Sequence, residues 1–479
     1  MTPWDLPVAL RELQEQLGES SVLSRPEEMA GYERGTRYGS GRAACVVRPA
    51  DVAQVQAVVH WARRHSLRLI AQGANTGLVA AASPEAVGDQ VIVSLERMRH
   101  TTELDADNRT VRVSAGVLLQ TLNARLAEAG LWFPIDLGAN PSIGGMIAAN
   151  TGGTRLLRYG DVRHNLLGLE VVLADESATH LELMSGLRKD NSGLDIKQLF
   201  VGTSGVFGII VAAVLEAHPL PRQQATALLV PRDASSALDL LRRTESRFGE
   251  LLSSFEVMSR AAMGCVFRFQ PRVRNPFEGG AVPEQAILLE LACTLPRTSS
   301  FDLQQMLEEF LAELLEDEAA LLSDALLGKD EQTWALRHAI SESLREAGKV
   351  IAFDISVRRS ALQPFREAAI AGLARLWPYL KVCDFGHFGD GGLHFNVVWP
   401  HDCGVEPQAQ TIDAVRDFVY RMVVEEFGGS FSAEHGIGPY NLGIYRQFTP
   451  LARQRLAGEL QRVVNPERLL GTFHFGPAF

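Results

Sequence analysis

Cysteine is scarce in this 479-residue chain, and the little there is shows no paired spacing. Cys45, Cys265, Cys293, Cys383 and Cys403 are scattered and odd in number, with no CxxC spacing, which argues against a disulfide framework and fits a reducing compartment. Positive charge is in deficit too. A formal net charge of −11 argues against a polyanionic partner, because nucleic-acid binders present a basic face. No stretch approaches the roughly 20 uninterrupted apolar residues of a membrane span. The opening segment, MTPWDLPVALRELQEQLGESS, is acidic and amphipathic, without the basic, apolar and small-residue blocks of a signal peptide, so a cytoplasmic location is expected. There is no tandem repeat and no low-complexity tract. Two nucleotide signatures are missing as well: no GxGxxG lies between a strand and a helix, and no GxxxxGK[ST] occurs anywhere, so neither a Rossmann site nor a P-loop is supported.

What is present is an ordinary globular composition, 46% hydrophobic and 22% charged, with length for two or three domains. Strand candidates such as AACVVRP, QVIVSL, TVRVSAG, LLGLEVVLAD and GIIVAAVLEAHPLP are interleaved with helical patterns such as ADVAQVQAVVHWARRHS. The excess of strand over helix predicts α+β layers and not a regular doubly wound sheet. A composition shift near Pro219 to Arg222 marks a boundary. Beyond it ATALLVP, LSSFEVMS and AILLELACTL, with the helical ASSALDLLRRTESR and SFDLQQMLEEFLAELLED, read as an antiparallel sheet covered by helices.

Three glycine-rich stretches occupy the first half, at 71–84, 134–175 and 201–216. Glycine lets backbone amides approach a ligand, and successive amides form nests for phosphate oxygens. A long, partly anionic ligand would account for them; a set of tight turns between short strands is the other reading. In the second half, GHFGDGGLHFNVVWP (386–400) places His387 and His394 seven apart. These are metal ligands or polar residues in a turn and a strand, and a third ligand would have to come from elsewhere. Cys383 is open to the same two readings, ligand or small buried thiol.

Five ordered motifs carry a resemblance: QGANTGLVAAASP, NPSIGGMIAANTGGTRLLRYGDVRHNLLGLEVVLADES, FVGTSGVFGIIVAAVLE, GHFGDGGLHFNV and FSAEHGIG. From about Pro26 to Glu467 the chain resembles the FAD-linked D-2-hydroxyacid dehydrogenases of the vanillyl-alcohol oxidase (PCMH-type FAD-binding) superfamily, in the D-2-hydroxyglutarate and D-lactate dehydrogenase branch. The resemblance implies a PCMH-type two-subdomain FAD-binding domain (1–221), a substrate or cap domain with an antiparallel sheet (222–429) and a helical C-terminal segment completing the active site (430–479). Gln72, Gly73, Ala74, Asn75, Thr76, Gly77, Leu78 and Ser83 would wrap the FAD pyrophosphate. Pro134, Asp136, Gly138, Ser142, Gly144, Gly145, Asn150, Thr151 and Gly152 would run beside the flavin and ribityl chain, with Gly160 following, and Gly205, Gly208 and Ile210 would close on the adenosine side. No histidine lies between Gln72 and Ser83, so the FAD is expected to be non-covalent.

The same resemblance makes Glu434 the third ligand beside His387 and His394, a two-histidine, one-carboxylate set for zinc first, with manganese, iron or cobalt as alternatives. His435 becomes the general base that takes the hydroxyl proton while a hydride moves to flavin N5. Arg337 and Ser341 would bind substrate, the guanidinium suiting a carboxylate, and Asn396 would sit near the substrate carboxylate. Departures from the family pattern concern the substrate: Ser341 replaces a threonine, Ala352 a lysine, Gly392 an asparagine and Asn441 a lysine. Loss of the Ala352-position cation argues against a dicarboxylate and favours longer or more hydrophobic 2-hydroxyacids equally with 2-hydroxyglutarate. The expected partners are that hydroxyacid, an electron acceptor such as an electron-transfer flavoprotein or quinone, and a second copy in a homodimer. A non-catalytic flavoprotein subunit and an oxygen-using 2-hydroxyacid oxidase are the alternatives.

Overall fold

The computed structural model describes residues 6–86, 88–277, 281–317, 320–328 and 330–478; the first five residues of the acidic opening segment lie outside them. The chain forms two compact units. One comprises residues 1–152, 161–219 and 434–479, the other 153–160 and 220–433.

The first unit holds two sheets. In the first, β1 (Val22–Leu23), β2 (Cys45–Val47), β3 (Arg68–Gln72) and β4 (Gln90–Ser94) are ordered β1-β2-β4-β3, with β2 and β3 parallel to β4. Their runs are short and largely apolar, and β2 and β4 are buried along their whole length, as strands covered on both faces must be. The crossover helix Val52–His65 is capped by Asp51, whose carboxylate accepts from Gln54 N–H at 2.8 Å. It buries Val55, Val58, Val59 and Ala62, the spacing of one helical face. The second sheet is antiparallel: β5 (Thr102–Asp105), β6 (Thr110–Ser114), β8 (Leu166–Val172), β9 (His180–Leu183) and β10 (Ile209–Glu216), ordered β5-β6-β10-β8-β9. A separate pair joins β7 (Leu131–Trp132) to β11 (His218–Pro219). The C-terminal segment locks onto β3: Leu69 N–H donates to Leu469 O and Gly471 N–H to Leu69 O, each at 2.7 Å.

The second unit is built on one antiparallel sheet of β12 (Gln223–Pro231), β13 (Leu252–Ser259), β14 (Gln285–Cys293), β15 (Leu322–Gly328), β16 (Gly348–Ile351), β18 (Lys381–Gly386) and β19 (Gly392–Pro400), ordered β15-β12-β14-β13-β18-β19-β16. The short β17 (Asp354–Ser356) pairs with β19. The registers Met258↔Phe385, Phe385↔His394, Cys383↔Asn396 and Asp354↔His394 put these side chains on one face, because directly opposed residues of antiparallel strands point the same way. The helices Arg260–Phe269 and Asp330–Ala347 cover that face in a core with Met258, Ala262, Val266, Ile340, Phe385 and Val398. On the other face the helix Arg359–Leu376 packs Phe365 against Phe395 and brings Arg366 onto Asp384. Both charges of that pair are buried and each satisfies the other.

Candidate active site

On the helix-covered face of the second unit a short chain of polar side chains is buried among apolar ones. Glu256, in the middle of β13, is 1% exposed. One carboxylate oxygen accepts from Arg337 Nε at 2.7 Å and the other lies 2.9 Å from His387 Nδ1. Burial alone pushes the Glu256 carboxyl up, but the His387 ring and the Arg337 guanidinium outweigh it and hold it at about 2. Arg337 lies on the helix Asp330–Ala347, 7% exposed, its guanidinium 4.6 Å above the Phe385 ring. It is therefore not the solvated arginine that an amphipathic helix usually carries. Ser341, one turn further on, is exposed.

His387 follows β18 in the turn that leads into β19. Gly386 and Gly391 have φ of +129° and +90°, which glycine alone adopts without strain. The Asp390 carboxylate accepts from Gly392 N–H at 2.7 Å and fixes the turn. A Cβ on Gly392 would come within 2.9 Å of Asp390 Oδ1 and 3.2 Å of the His387 Cβ, so glycine at this departure from the family pattern leaves room for His387. His394 lies on β19, its ring centroid 5.1 Å from that of His387, with Asp354 Oδ1 4.0 Å from its Nδ1. His387 thus has a buried carboxylate at hydrogen-bonding distance, the arrangement that orients a metal-ligating imidazole, and the buried Asp354 lies at ion-pair distance from His394. Asn396, two residues along the same strand face, is 7% exposed.

The chain returns to this sheet at 430–433. Ser430 and Ser356 exchange backbone hydrogen bonds at 2.7 and 3.1 Å, and Ala433 N–H donates to Asp354 O at 3.1 Å. Glu434 and His435 are the next two residues of the chain. The His387 and His394 imidazoles and the Asp354 carboxylate gather on this face. The donor set fits a divalent transition ion, imidazole nitrogen plus carboxylate oxygen.

Sequence reading missed Glu256. The signal was a glutamate within the otherwise apolar or small-residue LSSFEVMS, since a charge inside a buried strand needs a partner. A second buried carboxylate on this face, Glu290, accepts from Ser253 Oγ at 2.7 Å, Trp334 Nε1 at 2.8 Å and Arg155 Nε at 3.2 Å, and ties the short segment 153–160 to the sheet.

Within the first unit the three glycine-rich stretches and the C-terminal segment meet. A Cβ on Gly73 would run into the Ser142 hydroxyl, and Ser142 caps the helix Ile143–Ala149 by accepting from Gly145 N–H at 3.3 Å. Gly144 sits against Ala115, where a Cβ would come within 2.8 Å. At the end of that helix, Ile147 O and Ala148 O accept from Gly202 and Ser204 N–H at 3.1 and 2.7 Å, and Ser204 Oγ donates to Ile437 O at 2.6 Å. Asn150, at φ +52°, donates to Asp161 at 2.9 Å. The first loop is pinned from within: Gln72 Nε2 donates to Tyr32 O and Ala82 O at 2.9 and 2.7 Å, and Asn75 Nδ2 to Arg34 O at 2.9 Å. Gln72 thus shapes the loop with its side chain, while Gly77 and Gly138 have no neighbour in the space a Cβ would fill. Such open backbone leaves room for a long ligand to lie close against it.

Residues 43–182 match the model of an FAD binding domain, and residues 220–470 match the C-terminal domain of FAD linked oxidases. The chain is 32% identical to the mitochondrial D-2-hydroxyglutarate dehydrogenase of Bos taurus over 97% of its own length and 82% of that protein. It is 30% identical to the Arabidopsis thaliana protein of the same name, covering 97% and 80%. A D-2-hydroxyglutarate–pyruvate transhydrogenase of Saccharomyces cerevisiae is 27% identical, with 94% and 90% covered. Among solved structures, p-cresol methylhydroxylase with substrate bound superposes with a TM-score of 0.72 at 15% identity, covering 96% of this chain and 94% of that one. An alkyldihydroxyacetonephosphate synthase gives 0.70 at 16%, covering 99% and 85%. At that identity the structural likeness speaks to the fold, PCMH-type α+β.

Proposed function

The chain belongs to the FAD-linked oxidases, and on that premise we propose that it is an FAD-dependent D-2-hydroxyacid dehydrogenase that oxidises its substrate to the 2-oxoacid. FAD, when bound, supplies the acceptor for the hydride that leaves C2. A divalent ion, zinc first and manganese, iron or cobalt by the same donor chemistry, would be held by His387, His394 and Glu434 and would supply Lewis acidity toward the substrate hydroxyl.

The protein's own residues do the rest. Glu256 engages His387 Nδ1 and so leaves Nε2 as the nitrogen offered for ligation. It also engages Arg337 through Nε, which leaves the two terminal nitrogens of the guanidinium for a substrate carboxylate. Asn396 offers its amide from the same strand face as His394. His435 takes the hydroxyl proton as the C–H bond breaks, the role its place beside Glu434 in sequence allows. FAD is held without a covalent tether, and electrons pass on to an electron-transfer flavoprotein or a quinone.

The observation that carries this reading is the pair of neighbouring histidines with buried carboxylates beside them, Glu256 2.9 Å from His387 Nδ1 and Asp354 4.0 Å from His394 Nδ1. The test is an anaerobic absorption spectrum of the purified protein, followed by a panel of D- and L-2-hydroxyacids with and without a chelator. Bleaching of the flavin band by a D-acid, abolished by chelation and restored by zinc or manganese, is expected. A flavin band that no acid bleaches would overturn the substrate class, and bleaching insensitive to chelation would overturn the metal. With Ala352 in place of a lysine, D-2-hydroxyglutarate should bleach the flavin no faster than D-2-hydroxybutyrate; a strong preference for the dicarboxylate would refute this.

A further inference from the structure

The helix-covered face of the second sheet carries another chemical group, further along β18 than the histidines. Cys265, on the helix Arg260–Phe269, and Cys383, on β18, line one cavity of about 310 Å³ together with Arg268, Lys381, Val398 and Pro400. Cys383 belongs to the apolar core of this face and Cys265 packs against the same core. Cys265 is part-exposed and Cys383 buried, so one sulfur can be reached through the cavity and the other waits behind it.

We propose that Cys265 and Cys383 are an oxidisable dithiol, a modification site at which a hydroperoxide converts the pair to a disulfide. The Cys265 sulfur attacks one peroxide oxygen; the S–O bond forms, the O–O bond breaks and the first water leaves. The Cys383 sulfur then gives up its proton and attacks the Cys265 sulfur; the S–S bond forms, the S–O bond breaks and the second water leaves. Two thiols lose two electrons and one hydrogen peroxide becomes two waters.

The surroundings favour this division of labour. The hydrogen bond with Cys383 draws the Cys265 thiol below its ordinary value against the opposing push of burial, and the charges of Lys381 and Arg268 add to the lowering. The same hydrogen bond and burial push the Cys383 thiol up. A thiol that ionises readily and is exposed is the one that peroxide oxidises first. The remaining cysteines lack the arrangement: burial raises Cys45 to about 12, and the Cys293 and Cys403 thiols donate to backbone carbonyls at 3.7 and 3.4 Å. The disulfide would also reach the site already described, because Cys383 lies opposite Asn396 and four residues before His387 on the chain. It would tie the helix Arg260–Phe269 to β18 at that point.

The test is to treat the full-length holoprotein with stoichiometric hydrogen peroxide, alkylate the free thiols, and map peptides by mass spectrometry. A Cys265–Cys383 cross-linked peptide, lighter by two hydrogens and reopened by dithiothreitol, is expected. In Cys383→Ser, Cys265 should instead accumulate as sulfenic acid and label with dimedone, while Cys265→Ser should show neither product at Cys383. The proposal is overturned by the absence of the cross-linked peptide in the parent protein, or by equal oxidation at Cys403. This readout needs no turnover, so it stands or falls apart from the hydroxyacid chemistry.

Discussion

Glu256 carries more of the candidate site than any other single side chain, and its effects can be separated. Glu256→Gln keeps the shape and the hydrogen-bonding oxygen but removes the charge behind His387, so metal affinity should fall about 10- to 100-fold. Zinc titration by calorimetry checks this, and an unchanged affinity would remove Glu256 from the positioning role. Glu256→Ala leaves the Arg337 guanidinium buried without its carboxylate and should cost about 3–5 kcal/mol in urea unfolding. The pH dependence has a definite sign. The folded carboxyl, held at about 2, lies below its ordinary 4.5. In metal-free protein its contribution is therefore complete above about 4.5 and declines as the pH falls toward 2, because the unfolded chain takes up the proton first. Urea midpoints of the parent protein and Glu256→Gln should diverge above that window and converge below it. His435→Ala should keep FAD and metal yet lose flavin reduction by substrate; normal reduction would take the base role away from it.

At the scale of elements, the FAD cradle depends on backbones that approach more closely than side chains permit. Gly438 of the C-terminal segment lies against the first glycine loop, where a Cβ would overlap the Val79 carbonyl oxygen. Gly438→Ala should push the segment off that loop and lower the flavin-to-protein absorbance ratio of the purified protein. Gly443, five residues on, has no neighbour within 4 Å of a Cβ and lies in the helix Leu442–Phe448. There alanine should leave FAD content unchanged and gain up to about 1 kcal/mol of helix propensity. Equal flavin loss in both variants would mean that the C-terminal segment tolerates no change, and the close approach would not be the cause.

For the whole molecule, the first unit is discontinuous in sequence, and residues 434–479 complete it. Asn465 donates to Val206 O and Leu470 O at 3.3 and 2.8 Å, and Phe475 packs edge-on against Phe207. A chain ending at residue 433 should therefore lose the cooperative unfolding of the first unit and its FAD, with proteolysis concentrated in residues 6–219. Adding the 434–479 peptide should restore protection in part, since closing so long a loop costs entropy and no contact chemistry. A truncated chain that retains FAD would contradict this.

The sequence by itself determined the α+β class, the main strands in each half, the three glycine stretches and the histidine motif, because alternation, glycine density and motif order are local properties of a chain. It pointed to Arg337 only by resemblance, and its one sign of what lies between Arg337 and His387 was a glutamate inside an otherwise apolar or small-residue strand. Glu256 is 81 residues from Arg337, and only the antiparallel register of β13 against β18 brings the three together. The thiol pair was equally hidden: Cys265 and Cys383 are single residues in unrelated segments until the helix Arg260–Phe269 is laid on β18. Tertiary structure decided which carboxylate backs which histidine, which glycines are obligatory and which cysteines touch. Those are consequences of sheet register and close packing, and neither is written in any one stretch of chain.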